Sequence, residues 1–257
     1  MTVIAHSWFM TLRLVRQLLR QPWYVALTLI QPIIWLVLYG QLFGRIVQLP
    51  GFHAGSYIEF LTPGIIVMSA LFASGWTGLG VIRDMDQGVM DRFLVSPVSR
   101  PAIVVSRLLN LALTTIVQSV ILFALGSLMG ARYRGGLLGL ATLLAAAILL
   151  GVSFGGLSTC LAFLVRKQES VIGAVNFILL PLTFMSPVFM ASNLMPGWMH
   201  AASQVNPVNW SVEAGRRALQ GDASWNFVLM RLGFLVLFVL LSVSLATRAF
   251  RAYQRSS

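Results

Sequence analysis

Formal charge is missing from six long stretches of this chain. Counted from one Asp, Glu, Lys or Arg to the next, they are Gln21–Gly44, Phe60–Ile82, Leu108–Ala131, Gly135–Val165, Ser170–Val212 and Leu232–Thr247. They hold 24, 23, 24, 31, 43 and 16 residues. A helix crosses a bilayer core with about 20 apolar residues. Charges are costly at the bilayer centre and collect at the ends of spans. The spacing therefore predicts an all-α, polytopic membrane protein. Composition agrees: 58% of residues are hydrophobic and 10% are charged, where a soluble domain carries about 25% charge. A water-soluble globule is excluded, and one membrane domain is expected over residues 1–257.

Six transmembrane helices are predicted at Trp23–Phe43, Tyr57–Val81, Ser106–Met129, Leu137–Val165, Val171–Met190 and Phe227–Thr247. The 43-residue stretch is too long for one helix, and Pro187, Asn193, Pro196, Gly197, Asn206, Pro207 and Asn209 break its second half. A helix ending near Met190 is expected there, followed by a short external re-entrant helical segment. Backbone that does not span must be buried in protein or line a cavity. Asn206-Pro207 reads as an N-cap and first-turn pair opening a helix toward Leu219. Arg231, within the last span, is expected to snorkel outward.

Twelve Lys and Arg residues flank the spans on the N-terminal side of the membrane and 6 on the other, so both termini are expected to be cytoplasmic. Ahead of the first span, Arg13, Arg16, Gln17 and Arg20 share one helical face, and Trp8, Leu12, Val15 and Leu19 another. Residues 1–22 thus read as an N-terminal amphipathic interfacial helix, 23–247 as the six-helix domain and 248–257 as a cytoplasmic tail. The first stretch is span-length and lacks a small-x-small cleavage site, so it reads as a retained helix rather than a signal peptide.

Several chemistries lack their residues. The net charge of +11 reads as basic flanks facing anionic lipid. No basic patch is interleaved with exposed aromatics, so nucleic acid is not an expected partner. Gly151-Val-Ser153-Phe-Gly155 matches a nucleophile elbow but lies inside an apolar helix, with His6, His53 and His200 outside all spans. It reads instead as a small-residue packing surface, and no catalytic residue is assigned. No metal site is assigned either: the histidines are scattered, and Asp84, Asp86 and Asp91 lack the glycine and glutamate of a calcium loop. The lone Cys160 reads as an inert apolar residue. Glu59 lies at an outer edge and no span holds a central carboxylate, which argues against an ion-coupled carrier. The single lysine, Lys167, follows no G-x-x-x-x-G-K-[ST], so this chain cannot cradle ATP.

The segment from Arg83 to Arg107 is different. It holds three acids with Met85, Val89 and Phe93 at helical spacing, and Pro97 and Pro101 then stop the helix. A short helix of this kind, polar yet with apolar knobs, suits docking into a soluble partner or serves as a solvated connector.

Gly88-Val89-Met90-Asp91-Arg92-Phe93-Leu94-Val95-Ser96-Pro97 resembles the first cytoplasmic loop of type-2 ABC exporter permeases, with Val89 for the usual Thr and Asp91 for the usual Glu. Tyr57-Ile-Glu-Phe-Leu-Thr-Pro-Gly64 resembles the start of that family's second helix. Pro181-Leu-Thr-Phe-Met-Ser-Pro187, Met195-Pro-Gly-Trp198, Asn206-Pro207 and Glu213-Ala-Gly-Arg-Arg217 resemble its fifth helix and external region. Together these cover most of the chain and come nearest to the daunorubicin/doxorubicin-resistance permeases, a subfamily that includes lipid and glycoconjugate exporters.

The resemblance implies a permease subunit of an ATP-driven exporter in a bacterial inner membrane. It would work with two separate ABC ATPase subunits carrying ATP and Mg, and with a second, identical permease. Asp84, Asp86, Gly88, Asp91, Arg92, Phe93 and Pro97 would contact the ATPase, with Arg166 and Glu169 in a second, smaller contact. Gln31, Trp35, Tyr39, Asn176 and Phe184 would line the cargo path. Pro196, Trp198, Pro207, Glu213 and Arg217 would belong to the external segment. The competing reading is an ion-coupled secondary carrier or an integral membrane enzyme acting on lipids, active from this chain alone without ATP.

Overall fold

The computed structural model describes residues 22–48, 55–88, 100–221 and 224–255. The amphipathic segment expected ahead of Pro22 lies outside them. Every regular element among the described residues is helical. They are α1 Pro22–Leu42, α2 Tyr57–Gly75, α3 Thr77–Asp86, α4 Arg100–Leu128, α5 Gly136–Val165, α6 Gln168–Phe184, α7 Gly197–Gln204, α8 Pro207–Gln220 and α9 Trp225–Arg255. Short 3-10 turns lie at Gly44–Gln48 and Ser192–Leu194. Four stretches are long and apolar enough to cross a membrane: Tyr57–Asp86, Val105–Leu128, Gly136–Val165 and Trp225–Tyr253. Ala26–Leu42 and Gln168–Phe184 are shorter apolar helices.

Local chemistry sets the boundaries. Ser56 opens α2, its hydroxyl accepting from the Glu59 amide at 3.1 Å. Asn206 caps α8 by accepting from the Val208 amide at 2.9 Å, with Pro207 in the first turn. Gly221 ends α8 at φ 76, a left-handed conformation that costs glycine nothing. The helix expected to reach Met190 stops at Phe184. Pro181 already removes one donor from its last turn, and the carbonyls beyond are captured by side chains from other helices. The last helix runs on to Arg255, past the Thr247 end expected for its span.

α5 is the central helix, packing against α2, α3, α4, α6, α8 and α9. Leu143 and Leu150 on α5, Leu61, Ile65, Ile66 and Leu71 on α2, Leu219 on α8 and Phe250 on α9 are fully buried. The outer surface is also apolar, with Leu27, Leu137, Phe177 and Leu237 exposed. A fold apolar inside and out suits lipid rather than water. α8, expected as part of an external segment, packs against α2, α5 and α9.

α2 and α3 form one long rod broken at Trp76. The break frees buried backbone groups, and Ser158 of α5 takes up two of them. Its hydroxyl donates to the Gly75 carbonyl and accepts from the Gly78 amide, the latter at 3.0 Å. Gly78 permits this approach, because a Cβ there would sit 2.4 Å from the Ser158 carbonyl oxygen.

Ser158→Ala removes both contacts without adding bulk. An unpaired buried polar group costs about 1–3 kcal/mol. The expected result is a clear drop in the thermal midpoint of the detergent-solubilised protein. Ser244→Ala, at an exposed position on α9, should change it little.

Candidate functional site

α1, α2 and α6 line a partly open cavity of about 260 Å³. α1 supplies Gln31 and Trp35, α2 supplies Met68 and Phe72, and Trp76 comes from the helix break. α6 supplies Asn176, Leu180, Thr183 and Phe184, and Phe189 closes the ring. Five of the ten lining side chains are aromatic and none carries a formal charge. The Asn176 amide nitrogen donates to the Ile172 carbonyl at 3.0 Å. The Thr183 hydroxyl is engaged with Leu179 at 2.8 Å. Such a cavity offers ring faces and a few amide groups to a hydrophobic or amphipathic molecule.

Four of the five path residues expected from the sequence, Gln31, Trp35, Asn176 and Phe184, line this one cavity. Tyr39 does not. Its ring is tilted against three others, 4.7 Å from Trp35, 5.3 Å from Phe189 and 5.2 Å from Phe43, centroid to centroid. Met68, Phe72, Trp76, Leu180, Thr183 and Phe189 were missed. The first three recur every fourth residue, a helical stripe that could have been read as a wall. Phe189 gave no such signal, since it lies in the non-helical segment after α6.

That segment is held by its carbonyls. Asn206 donates to Leu182 and Met185 at 2.7 and 3.1 Å. The Arg216 guanidinium donates to Pro187 at 2.8 Å and to Phe60 at 3.1 Å. The Tyr57 hydroxyl donates to Phe189 at 3.0 Å. Gly64 lets α2 approach: a Cβ there would lie 2.6 Å from the Val188 carbonyl oxygen. Arg216 also lies 3.6 Å over the Phe60 ring. Desolvation lowers its pKa to about 9, against the opposing influence of Glu213 and Tyr57.

Beside it, Glu213 and Arg231 are 3.6 Å apart. Arg231 donates to Gln204 at 3.1 Å, and Ser192 donates to Glu213 at 3.2 Å. The outward snorkelling expected of Arg231 is therefore replaced by pairing, and the side chain is only 8% exposed. Arg217 is exposed and lies 3.9 Å over the Phe227 ring. Pro196 precedes α7, where Trp198 is exposed, and Pro207 begins α8. α7, α8 and the start of α9 thus form one linked cluster.

The opposite end carries the other expected residues. The Asp84 carboxylate accepts from the Arg107 guanidinium, joining α3 to α4. Asp86 accepts from Gln168 at 3.3 Å, joining α3 to α6. Gly88 turns the chain at φ 65 after α3. Arg166 closes α5 in a left-handed conformation, and Glu169 is exposed in the first turn of α6. Asp91, Arg92, Phe93 and Pro97 lie outside the described residues. Among the described residues no His, Cys, Asp and Glu group could hold a metal. Ser153, of the G-x-S-x-G match, sits inside α5 with its hydroxyl on the Leu149 carbonyl at 2.8 Å.

Residues 6–219 match the profile of the family described as ABC-2 type transporter. The chain is similar to a daunorubicin resistance ABC transporter permease protein, DrrB1, of Streptomyces coeruleorubidus. The two are 32% identical over 199 residues, covering 76% of this chain and 68% of that one. It is 25% identical over 218 residues to the probable doxorubicin resistance ABC transporter permease protein DrrC of Mycobacterium tuberculosis, covering 85% and 78%. It is 25% identical over 209 residues to the inner membrane transport permease YadH of Escherichia coli, covering 76% of each.

Two substitution sets test the geometry. Arg216→Lys keeps the charge but cannot hold both carbonyls with one planar fork. Loss of one charge-assisted bond should cost about 1.5–3 kcal/mol, read as a lower thermal midpoint. In a double-mutant cycle, Asp84→Arg and Arg107→Asp should each destabilise the protein. The pair together should recover part of the loss, with a coupling of about 0.5–3 kcal/mol.

Proposed function

Because the chain belongs to the ABC-2 type transporter family, we propose that it is the transmembrane permease subunit of an ATP-driven exporter. Its cargo is a hydrophobic or amphipathic molecule: a drug, a lipid or a glycoconjugate. The observation that carries this reading is the uncharged, aromatic-walled cavity between α1, α2 and α6. It abuts the helix break from which α3 leads to the charged loop. In this reading α1, the α2–α3 rod, α4, α5, α6 and α9 are six spans. α1 has 21 residues, about 31 Å of helix at 1.5 Å per residue. α7 and α8 form an external re-entrant segment, both termini face the cytoplasm, and the membrane is the bacterial inner membrane.

ATP and Mg bind two separate ABC ATPase subunits, and a second identical permease completes the path. The ATPases dock on the loop that includes Asp91, Arg92, Phe93 and Pro97, with Arg166 and Glu169 as a second contact. Asp84 and Asp86 act differently. Their carboxylates are bonded to Arg107 and Gln168, so they brace α3 against α4 and α6 rather than meet the partner. When the ATPases close, the braced α3 moves as a unit and the break at Trp76 bends. Trp76 stands in the cavity wall, so the bend reshapes the cavity. Phe189 and its carbonyl-held segment form the wall on the external side. Nucleotide drives this only through different affinities for the two states.

The chain, co-expressed with its neighbouring ATPase, should copurify with it. Asp91→Arg with Arg92→Glu should abolish ATP-dependent export from cells, and Trp35→Ala or Phe184→Ala should change export of some cargoes more than others. Export that persists without an ATPase, or after the charge reversal, would overturn the proposal.

A further inference from the structure

Five residues close into a ring where α7, α8 and α9 meet. The Ser192 hydroxyl donates to the Glu213 carboxylate at 3.2 Å. Glu213 lies 3.6 Å from Arg231, and Arg231 donates to the Gln204 side-chain oxygen at 3.1 Å. The Gln204 amide nitrogen faces His200 Nε2 at 3.5 Å. His200 Nδ1 returns to the Ser192 carbonyl at 3.1 Å. The ring thus joins the 3-10 turn at Ser192–Leu194 to α7, α8 and α9. One side of it is open, since His200 and Gln204 are exposed. The other is closed: the Glu213 and Arg231 side chains are 14% and 8% exposed.

Donor and acceptor chemistry fixes the hydrogens around this ring. Arginine only donates, so the Gln204 oxygen must face Arg231 and its NH2 must face His200. A carbonyl only accepts, so His200 Nδ1 must carry the hydrogen that meets Ser192. His200 Nε2 is then left as a lone pair, which suits the Gln204 NH2. The ring therefore closes only with His200 neutral and in its Nδ1–H tautomer. A proton on Nε2 would meet the Gln204 NH2 with a second donor. If the amide turned over to accept that proton, its NH2 would face Arg231 instead. Either way one link opens at Gln204. The charged groups on the elements joined to α7 are Glu213, Arg216 and Arg217 of α8 and Arg231 near the start of α9. The 3-10 turn carries none. Glu213 is the acid among them and is already engaged by Ser192 and Arg231, so the three arginines oppose an added positive charge.

We infer that the ring is a proton-responsive latch, closed at neutral pH and opened when His200 takes up a proton. Histidine is the side chain that changes charge between about pH 5 and 8. The exposed His200 meets the proton, and Gln204 passes the change on to a buried ion pair. Gln204 is where α7 is tied to α9. Phe189, which closes the cavity, leads directly into the Ser192 turn and α7. Opening the latch therefore loosens the anchor of the cavity wall that follows α6. The ring's contribution to stability is present at neutral and higher pH and is lost in acid. That the proton comes from outside the cell rests on the proposed topology. The ring and its response to pH do not.

The test follows the thermal midpoint of the purified full chain in detergent between about pH 8 and about pH 5.5. Over this range the wild type should lose about 2–4 °C more than His200→Asn, which keeps a donor for Ser192 and cannot titrate. The comparison cancels His6 and His53. Gln204→Glu should reverse the response. Its carboxylate accepts from Arg231 and from a protonated His200, but it repels the lone pair of a neutral one. Relative to His200→Asn, this variant should gain stability toward acid, which a merely structural glutamine would not produce. The imidazole 15N spectrum of the wild type at about pH 8 should show His200 as the Nδ1–H tautomer, assigned by its absence from His200→Asn. That measurement needs no Gln204 variant to fold. Equal pH responses of wild type and His200→Asn, an unreversed response in Gln204→Glu, or an Nε2–H His200 would each overturn the latch. All three are read on this chain alone, so they stand or fall apart from ATP-dependent export, which tests the proposed function.

Discussion

Peptide groups away from water must be paired, and this chain breaks its helices at two places where water is scarce. At Trp76 the long rod of α2 and α3 is interrupted, and the Ser158 hydroxyl serves both the Gly75 carbonyl and the Gly78 amide. After Phe184 the backbone leaves the helix altogether. There Asn206, Arg216 and Tyr57 take the carbonyls of Met185, Pro187 and Phe189, and Asn206 also takes that of Leu182 in the last turn of α6. An unpaired group in either place would cost about 1–3 kcal/mol. Polar side chains from distant parts of the sequence thus permit the irregularities around which the cavity forms.

Those same irregularities connect the two ends. Trp76 belongs both to the break and to the cavity wall, and Phe189 belongs both to the non-helical segment and to the wall. Below the cavity, α3 is tied to α4 and α6 through Asp84 and Asp86. Beyond Phe189, α7, α8 and α9 are tied through Glu213, Arg231 and Gln204. In the proposed coupling, ties at both ends and the break between them would let the cavity's shape follow a partner's movement.

Much of the helical layout was readable from where charge stops and starts, because a bilayer penalises a charge whatever the neighbours are. The helix that opens at Pro207 was readable because N-capping is a local matter. The Met190 end failed because the side chains that capture the carbonyls after Phe184 come from residues far along the chain. Arg231 failed for the same reason: its partners Glu213 and Gln204 are brought to it by folding, and a paired cation has no need to reach for the headgroups. Gln31, Trp35, Asn176 and Phe184 were chosen from helix position and proved to share a cavity. Asp84 and Asp86, expected to contact a partner ATPase, accept hydrogen bonds from Arg107 and Gln168, which only folding brings to them.

By itself the sequence determined that the chain is helical and meant for lipid. These depend on composition and on the spacing of charge. Tertiary structure decided which polar groups are spent on holding the fold and which remain to meet a ligand. That choice turns on pairs such as Ser158 with Gly78, and Arg216 with Pro187. Such groups lie tens of residues apart, and only packing brings them within hydrogen-bond reach.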